Sequence, residues 1–503
     1  MPATKTFTTS DLSPVWLSYS AALRGVKPRL PGTDFTYLQL ACGDAIGLMC
    51  LAASNPEGIF YGVLPEAVEA TKAQNLAAAR QVKNVIFLTG TITQLLTQLA
   101  ARADMLPLLD YVVCDPAAEV LSAAEQTALF ALTQQRLKPS GILAYHYRAY
   151  SNADEILRFL VSEFAPAMNV TQAKEFLEEL KNLAPGYFKD HPIALAALDR
   201  AISKGVPDEF FSTCEAAGKA SSGTYNVMAD LLPRSFAFAG DADVSANYME
   251  LSVATSAQPI LENCRQHLLY EPIKDFAMQR LERTDIWCRL PVTQTANVVE
   301  LFGGFTYGLA APSDQMPVEI KTHGKSIDLS QAPFANLIEL MKIMPVGIGD
   351  FLSHPFGKDV AQNDALLAVQ ILVATGVIRP MRGGYEGEGR VELSNPQWNL
   401  YFNNFLDDAL ITTAKVVLAS PVVGSGIAMS ARDALVIQAI HRVGLANSAG
   451  SLMPELQRLA KDPQLAAQIM DVTEPTEEMV NTMIHDVVNH SMVRWYAYGL
   501  LAA

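Results

Sequence analysis

No two cysteines stand at C-x-x-C spacing, and none of the six (Cys42, Cys50, Cys114, Cys214, Cys264, Cys288) falls into a zinc-ligand pattern. A redox dithiol and a zinc finger are therefore excluded, and the thiols read as reduced, buried small hydrophobes of a cytoplasmic protein. Basic charge is also scarce: 37 Lys and Arg against 52 Asp and Glu leave a formal net charge of −15 and a pI near 5.0. That balance speaks against broad contact with phosphate backbones or with an anionic membrane surface. Long apolar runs are missing. None approaches the roughly 20 residues that span a bilayer, and the opening MPATKTFTTSDLSP has no apolar h-region. The expectation is a soluble intracellular protein without membrane insertion. The chain also lacks an internal repeat and any low-complexity tract.

What is present is ample core. With 503 residues, 50% of them hydrophobic, the chain has material for roughly three domains at about 150 residues each. The stretch Tyr37–Gly47 organises the first. It reads as a short apolar strand that breaks at Cys42-Gly43-Asp44 into a helix starting near Ala45. A strand ending in a small-residue turn before a helix leaves backbone N–H groups unpaired at the carboxyl edge of a sheet, where open α/β folds place ligands. Ser13 as N-cap and Pro14 at the first helical position predict a helix to about Leu23. Strands follow at 59–64, 85–88, 111–114 and 142–146, separated by helices at about 45–54, 66–81, 92–102 and 118–137, with Lys138-Pro139-Ser140-Gly141 as the turn that closes the last helix. Five strands spaced by helices imply a parallel, doubly wound α/β sheet.

The order of landmarks resembles a class I methyltransferase using S-adenosylmethionine (SAM), in particular the bacterial group in which a catalytic domain is joined to a methyltransferase regulatory domain. The landmarks are Ser13-Pro14, the Leu40-Ala41-Cys42-Gly43 turn, Tyr61-Gly62-Val63-Leu64-Pro65, Asn84-Val85-Ile86-Phe87, Asp110-Tyr111-Val112-Val113 and Leu137-Lys138-Pro139-Ser140-Gly141-Ile142. The resemblance implies a Rossmann-like sheet and a SAM pocket formed by Gln39, Ala41, Cys42, Gly43, Leu64, Gly90, Thr91 and Cys114. Within it the chain departs from the family's E-L-G-C-G-x-G: Gln39 replaces the acid, and Ala41 and Ala45 replace the first and last glycines. The acid that grips the ribose hydroxyls in relatives falls at Leu64, which cannot accept a hydrogen bond. Tyr145, Tyr147 and Tyr150, in the stretch Tyr145–Tyr150, sit where relatives carry an aromatic segment near the transferred methyl. They read either as an aromatic collar orienting the acceptor or as rings packed against the next helices. His146 is a weaker candidate for a catalytic base.

Residues 1–150 thus form the expected SAM-dependent core, and 151–310 a helical cap and regulatory domain. Helices are expected at 153–164, 170–183, 191–204, 207–220 and 224–232, over the ligand-binding edge. Strands at 234–240 and 285–290, with helices at 257–269 and 272–283 between them, are expected to finish the sheet as its antiparallel sixth and seventh members. Asp275-Phe276, Arg280, Arg283 and Cys288-Arg289 resemble the D-F…R…R…C-R ending of the regulatory domain. Arg280 and Arg283, three apart, read as one helix face, a solvated pair or a binder of carboxylates.

A polar linker at 311–333 opens the third domain, 311–503, which reads as helical with a winged-helix-like outline. Residues 333–392 carry five basic side chains (Lys342, Lys358, Arg379, Arg382, Arg390) against seven acidic ones (Glu339, Asp350, Asp359, Asp364, Glu386, Glu388, Glu392). Such a module is expected not to bind nucleic acid; protein contact or a homodimer suits it better. Leu418–Gly426 resembles the LASPVxGSG near the family's end, and its glycines predict a tight turn in a loop between helices. The resemblance implies methyl transfer from SAM, with a protein lysine as acceptor. A non-catalytic binding or scaffold relative, and a small-molecule methyltransferase, stand as alternatives.

Overall fold

A computed structural model describes residues 12–29, 33–41, 45–115, 121–150, 159–160, 163, 170–204, 223–311, 315–323, 325–342, 344–382, 397–398, 415–470 and 474–502. Ser13 caps the first helix, α1 (Pro14–Ala22): its side chain accepts from Trp16 N, and Pro14 needs no donor at that position. The apolar stretches then become β1 (Phe35–Leu40), β2 (Gly58–Leu64), β3 (Val85–Thr89), β4 (Leu109–Cys114) and β5 (Leu137–Arg148). Between them run α2 (Ile46–Ser54), α3 (Ala67–Ala79), α4 (Ile92–Ala101) and α5 (Ala123–Arg136). Two more strands, β6 (Phe236–Asp241) and β7 (Glu282–Arg289), complete a seven-stranded sheet of order β3-β2-β1-β4-β5-β7-β6.

The first five strands are parallel, and β7 is antiparallel to both neighbours. Only β7 is reversed, therefore, and the expectation of two antiparallel closing strands is corrected. The helix Gly223–Leu231 explains why: Val227 and Leu231 pack into the core on one sheet face and return the chain to the amino edge, so β6 starts parallel to β5. A second correction concerns Lys138–Gly141. It is the kinked opening of β5 rather than a turn before it, with Ser140 at φ 60° and a register shift between Leu109 and Tyr111.

Alternation along the strands builds two cores. Tyr37, Phe60, Leu64, Tyr111 and Ala144 face α1, α2 and α3, whereas Leu38, Leu40, Val63, Cys114, Tyr145 and Tyr147 face α4 and α5. Most of α2 is buried, at Leu48, Met49, Cys50, Leu51, Ala52 and Ser54, as a helix apolar on all sides must be. Glycines let its neighbours approach. A Cβ at Gly62 would lie 2.6 Å from Leu48 Cδ2, beneath the helix, and one at Gly426 would lie 3.2 Å from Cys50 Cβ, above it.

Gly426 belongs to a hairpin, Lys415–Ser420 with Ser425–Ser430, so the Leu418–Gly426 motif does form a tight turn, with Gly424 at φ +69°, but between strands rather than helices. The hairpin is bolted to the end of α2. Asn55 Nδ2 donates to Gly424 O at 2.9 Å, Ser420 N donates to Ser54 Oγ at 3.0 Å, and Arg382 bridges Glu57 at 3.0 Å while donating to Ser54 O at 3.1 Å. Gly426→Val is expected to wedge the hairpin off α2 and cost about 1–3 kcal/mol, the usual range for overpacking, in a urea melt.

Upstream of the hairpin, the strand Phe305–Leu309 lies between Val346–Gly347 and Ile378–Arg382 in a three-stranded antiparallel sheet, packed with helices Phe334–Met341, Ile348–Ser353 and Gln362–Ala374. That sheet joins strands from both sides of residue 311. The glycine-rich stretch 383–390 lies outside the described residues, as does most of the helices expected at 153–164 and 207–220. The final helices, from Ala431 on, close over a separate apolar core centred on Trp495.

Candidate active site

The strand order reverses between β1 and β4, and the carboxyl ends of β1 to β4 meet there, at the crevice where such sheets bind ligands. Gln39 stands in register with Gly62 and Val113 near the end of β1. Its Oε1 is buried and has no hydrogen-bond partner among the described residues. Beyond it Ala41 and Ala45 both hold left-handed backbone, φ 54° and 65°. This is glycine geometry, and alanine occupies it at a cost of roughly 1–2 kcal/mol each. Cys42, Gly43 and Asp44, between them, lie outside the described residues.

Leu64 ends β2 with 2% exposure, on the same sheet face as Gln39, and contributes no acceptor. Its carbonyl takes a hydrogen bond from Gly90 N at 2.9 Å, which brings β3's end beside it. Gly90 has φ +131°, and Thr91 then caps α4 through a reciprocal pair: Gln94 N donates to Thr91 Oγ1 at 3.3 Å and Thr91 N donates to Gln94 Oε1 at 2.9 Å. Cys114 is fully buried at the end of β4, and burial pushes its thiol up, so it is a packed neutral thiol and not a nucleophile.

The acceptor-side tyrosines are on the other face. Tyr145 pairs with Cys114 across β4–β5, stacks on Tyr147 at 5.2 Å and 29°, and meets Phe130 edge-on at 5.7 Å. Tyr147 Oη donates to Asp285 Oδ2 at 2.6 Å. Tyr150 belongs instead to the core of the helical cap, beside Phe159. His146 points away from the pair and meets Thr284 Oγ1 through Nδ1 at 3.0 Å. The structure therefore gathers Gln39, Ala41, Leu64, Gly90 and Thr91 with Cys114, Tyr145 and Tyr147 at one edge, but on two faces, and sets Tyr150 apart.

Behind Tyr147 lies a buried ionic cluster, and here Arg280 and Arg283 are not a solvated helix pair. The helix ends at Ala277, Arg283 lies on β7 with no exposure, and Arg280 sits in the turn before it. Arg283 Nε donates to Asp285 Oδ1 at 2.7 Å, Nη1 to Asp275 Oδ1 at 2.9 Å and Nη2 to Glu271 Oε2 at 3.0 Å. Arg280 forks onto Asp241, and Lys274 reaches Glu271 at 2.7 Å. Burial pushes Asp285 up, and with Asp241 and Glu271 it outweighs Arg283 and the Tyr147 hydrogen bond, leaving the carboxyl at about 6. For Glu271 burial loses to Lys274 and Arg283, which hold it at about 2. The cluster escaped the sequence reading because its acids come from two strands and a helix. The dense alternation of Asp275, Arg280, Glu282, Arg283 and Asp285 within an otherwise apolar segment is the signal that marks it.

A seven-stranded sheet in this order with its penultimate position reversed, and a glycine-geometry turn after β1, defines the class I methyltransferase fold. Residues 222–289, the segment of β6, β7 and the ionic cluster, match the family model of a predicted methyltransferase regulatory domain. The whole fold superposes on PKMT2 from Rickettsia typhi with a TM-score of 0.63, over 99% of both chains at 16% identity. The same protein in complex with AdoHcy matches equally, at 0.63 and 14% identity. A curated relative, an uncharacterized protein of Synechocystis sp., is 21% identical over 444 residues, 86% of this chain and 85% of its own length. The chain thus has a methyltransferase fold, with a segment similar to the regulatory domain at 222–289, as the sequence resemblance implied.

Proposed function

We propose that this protein transfers a methyl group from SAM to an amine, and that the acceptor is a protein lysine. The observation that carries this reading is the pair Ala41 and Ala45: both flanks of the turn hold left-handed backbone although alanine replaces glycine at each, beside an orphaned Gln39 acceptor. Two such residues flanking one turn at the ligand edge of the sheet support a binding role for it. These residues fit the cofactor. Gln39 offers it a hydrogen-bond acceptor near the N-terminus of α2, and Gly90 and Thr91 stand at the neighbouring strand end. SAM brings a methyl on a sulfonium, already activated, so alignment of a neutral amine supplies most of the rate. Tyr145 offers a phenolic oxygen to the amine, and the apolar wall around it lowers a lysine's pKa and so favours the neutral form. The acidic surface suits a lysine-rich partner. The fold shared over its whole length with PKMT2, which is also seen in complex with AdoHcy, supports the cofactor half of this reading.

Incubation with radiolabelled SAM and bacterial lysate tests the reading. Label in precipitated protein, on lysine, is expected; label only in small molecules moves the acceptor to that class. Absence of SAM binding in a calorimetric titration returns the chain to a scaffold role, which Leu64 favours by offering the ribose no acceptor. Leu64→Asp is expected to tighten SAM about ten- to a hundredfold, since a charge-assisted hydrogen bond contributes about 1.5–3 kcal/mol. The ligand-free variant melts lower than wild type, because the new carboxylate replaces a buried leucine.

A further inference from the structure

The ionic cluster lies inside the fold, away from the cofactor turn, and nothing in the proposed transfer uses it. Four carboxylates (Asp241, Glu271, Asp275, Asp285) face three cations (Lys274, Arg280, Arg283), all of them buried except Arg280, which is nearly so. One negative charge is thus left over in a setting where desolvation makes it costly. Asp285 is the member that touches the candidate site. One of its oxygens is taken by Arg283 Nε at 2.7 Å and the other by Tyr147 Oη at 2.6 Å. Tyr147 in turn stacks on Tyr145, with ring centroids 5.2 Å apart.

We infer that Asp285 is a positioning residue: through the Tyr147 hydroxyl it fixes the stacked ring that sets Tyr145 against the methyl acceptor, and the cluster's surplus charge makes that hold depend on one proton. The inference rests on the proposed methyl transfer for its catalytic half only.

The groups around Asp285 come from every element packed on it. Arg283 shares its strand, Tyr147 comes from β5, and Asp241 from β6 brings in Arg280. Glu271, Lys274 and Asp275 come from the helix Tyr270–Ala277; Thr224, which donates to Asp275 Oδ2 at 2.7 Å, ties the helix Gly223–Leu231 to the same cluster. Asp275 is likewise pushed up, chiefly by burial, whereas Glu271 is held low. The proton therefore goes to the Asp285 and Asp275 side. When Asp285 takes it, Tyr147 exchanges an ionised acceptor for a neutral one and the ring is held less firmly. The segment that matches the regulatory domain would thereby act on the acceptor side of the sheet through a single phenol.

The test uses the full chain with tyrosine labelled by carbon-13 at Cζ, the Tyr147 signal being assigned by its loss in Tyr147→Phe. That signal is expected to titrate near pH 6 in the wild type and to stay still between pH 5 and 7.5 in Asp285→Asn. Methyl transfer from SAM to lysate protein and to poly-L-lysine is expected to rise through the same pH range. In Tyr147→Phe, which keeps every ion pair of the cluster and removes only the hydrogen bond to Asp285 Oδ2, kcat is expected to fall about tenfold, with the step near pH 6 lost, the steady rise from lysine deprotonation kept and KM for SAM unchanged. A Tyr147 signal that does not titrate overturns the proton-dependent hold. A Tyr147→Phe enzyme with the wild-type pH profile, altered only in melting temperature, reduces the contact to a structural one. Where the wild type binds SAM yet transfers no methyl to either acceptor, the proposed function and the positioning role fall together, and the NMR titration alone judges the hold.

Discussion

Arg283→Met is expected to destabilise the protein by about 3–5 kcal/mol, the cost of removing one partner from a buried charge pair, against the 5–15 kcal/mol that holds a typical domain together. The side chain has no exposure and serves three carboxylates at 2.7 to 3.0 Å. Its loss leaves four acids against Lys274 and Arg280 alone. The effect has a pH signature. Asp285 is already raised from 3.8 to about 6, so its contribution to stability is full below the lower value and is lost as pH rises through the higher one. Without Arg283, the chief group holding it down, that loss moves to higher pH and grows. Urea melts are therefore expected to show the variant much closer to wild type at pH 5 than at pH 7.5. An equal deficit at both values would mean that Arg283 supports the fold by packing rather than by offsetting charge.

The second large effect belongs to the turn after β1. Ala45 has no exposure and φ 65°, so a β-branched side chain there meets both a full core and a forbidden backbone region. Ala45→Val is expected to weaken SAM binding at least a hundredfold in calorimetric titration. Ala41→Gly should do the opposite for the fold, since Ala41 is exposed at φ 54° and loses only strain, a gain of about 1 kcal/mol. Ala45→Gly also sheds strain but vacates a buried methyl, and is expected to come out near zero. Wild-type affinity in Ala45→Val would place the cofactor elsewhere.

Much of this was legible beforehand, for local reasons. The apolar strands and their spacing follow from periodicity, and the start of α1 at Ser13-Pro14 follows from capping chemistry, which needs only neighbours in sequence. What escaped reading is non-local. Arg280 and Arg283 look like one helix face because they are three apart, and only the return of β7 beside β6 shows that they turn inward to acids brought from elsewhere. Leu418–Gly426 reads as a turn on its glycines, but nothing in those residues says that the turn will seat on α2. The direction of β6 likewise depends on where the helix Gly223–Leu231 leaves the chain, which a strand pattern does not encode. Among the candidate site residues, the sequence placed Gln39, Leu64 and Tyr145 at one edge without saying that alternation sends the last to the opposite face.

The seat of α2 has a consequence for how the chain is made. The helix is apolar on every side, and among the described residues one of those sides is covered by the hairpin that emerges about 370 residues later. At about 5–20 residues per second on the ribosome, the nascent first domain waits roughly 20–75 s with Cys50 and its neighbours open to solvent. That exposed stripe is expected to make the unfinished protein a client for holding chaperones until the hairpin is made. The first 150 residues expressed alone are expected to aggregate, which light scattering of that fragment would show.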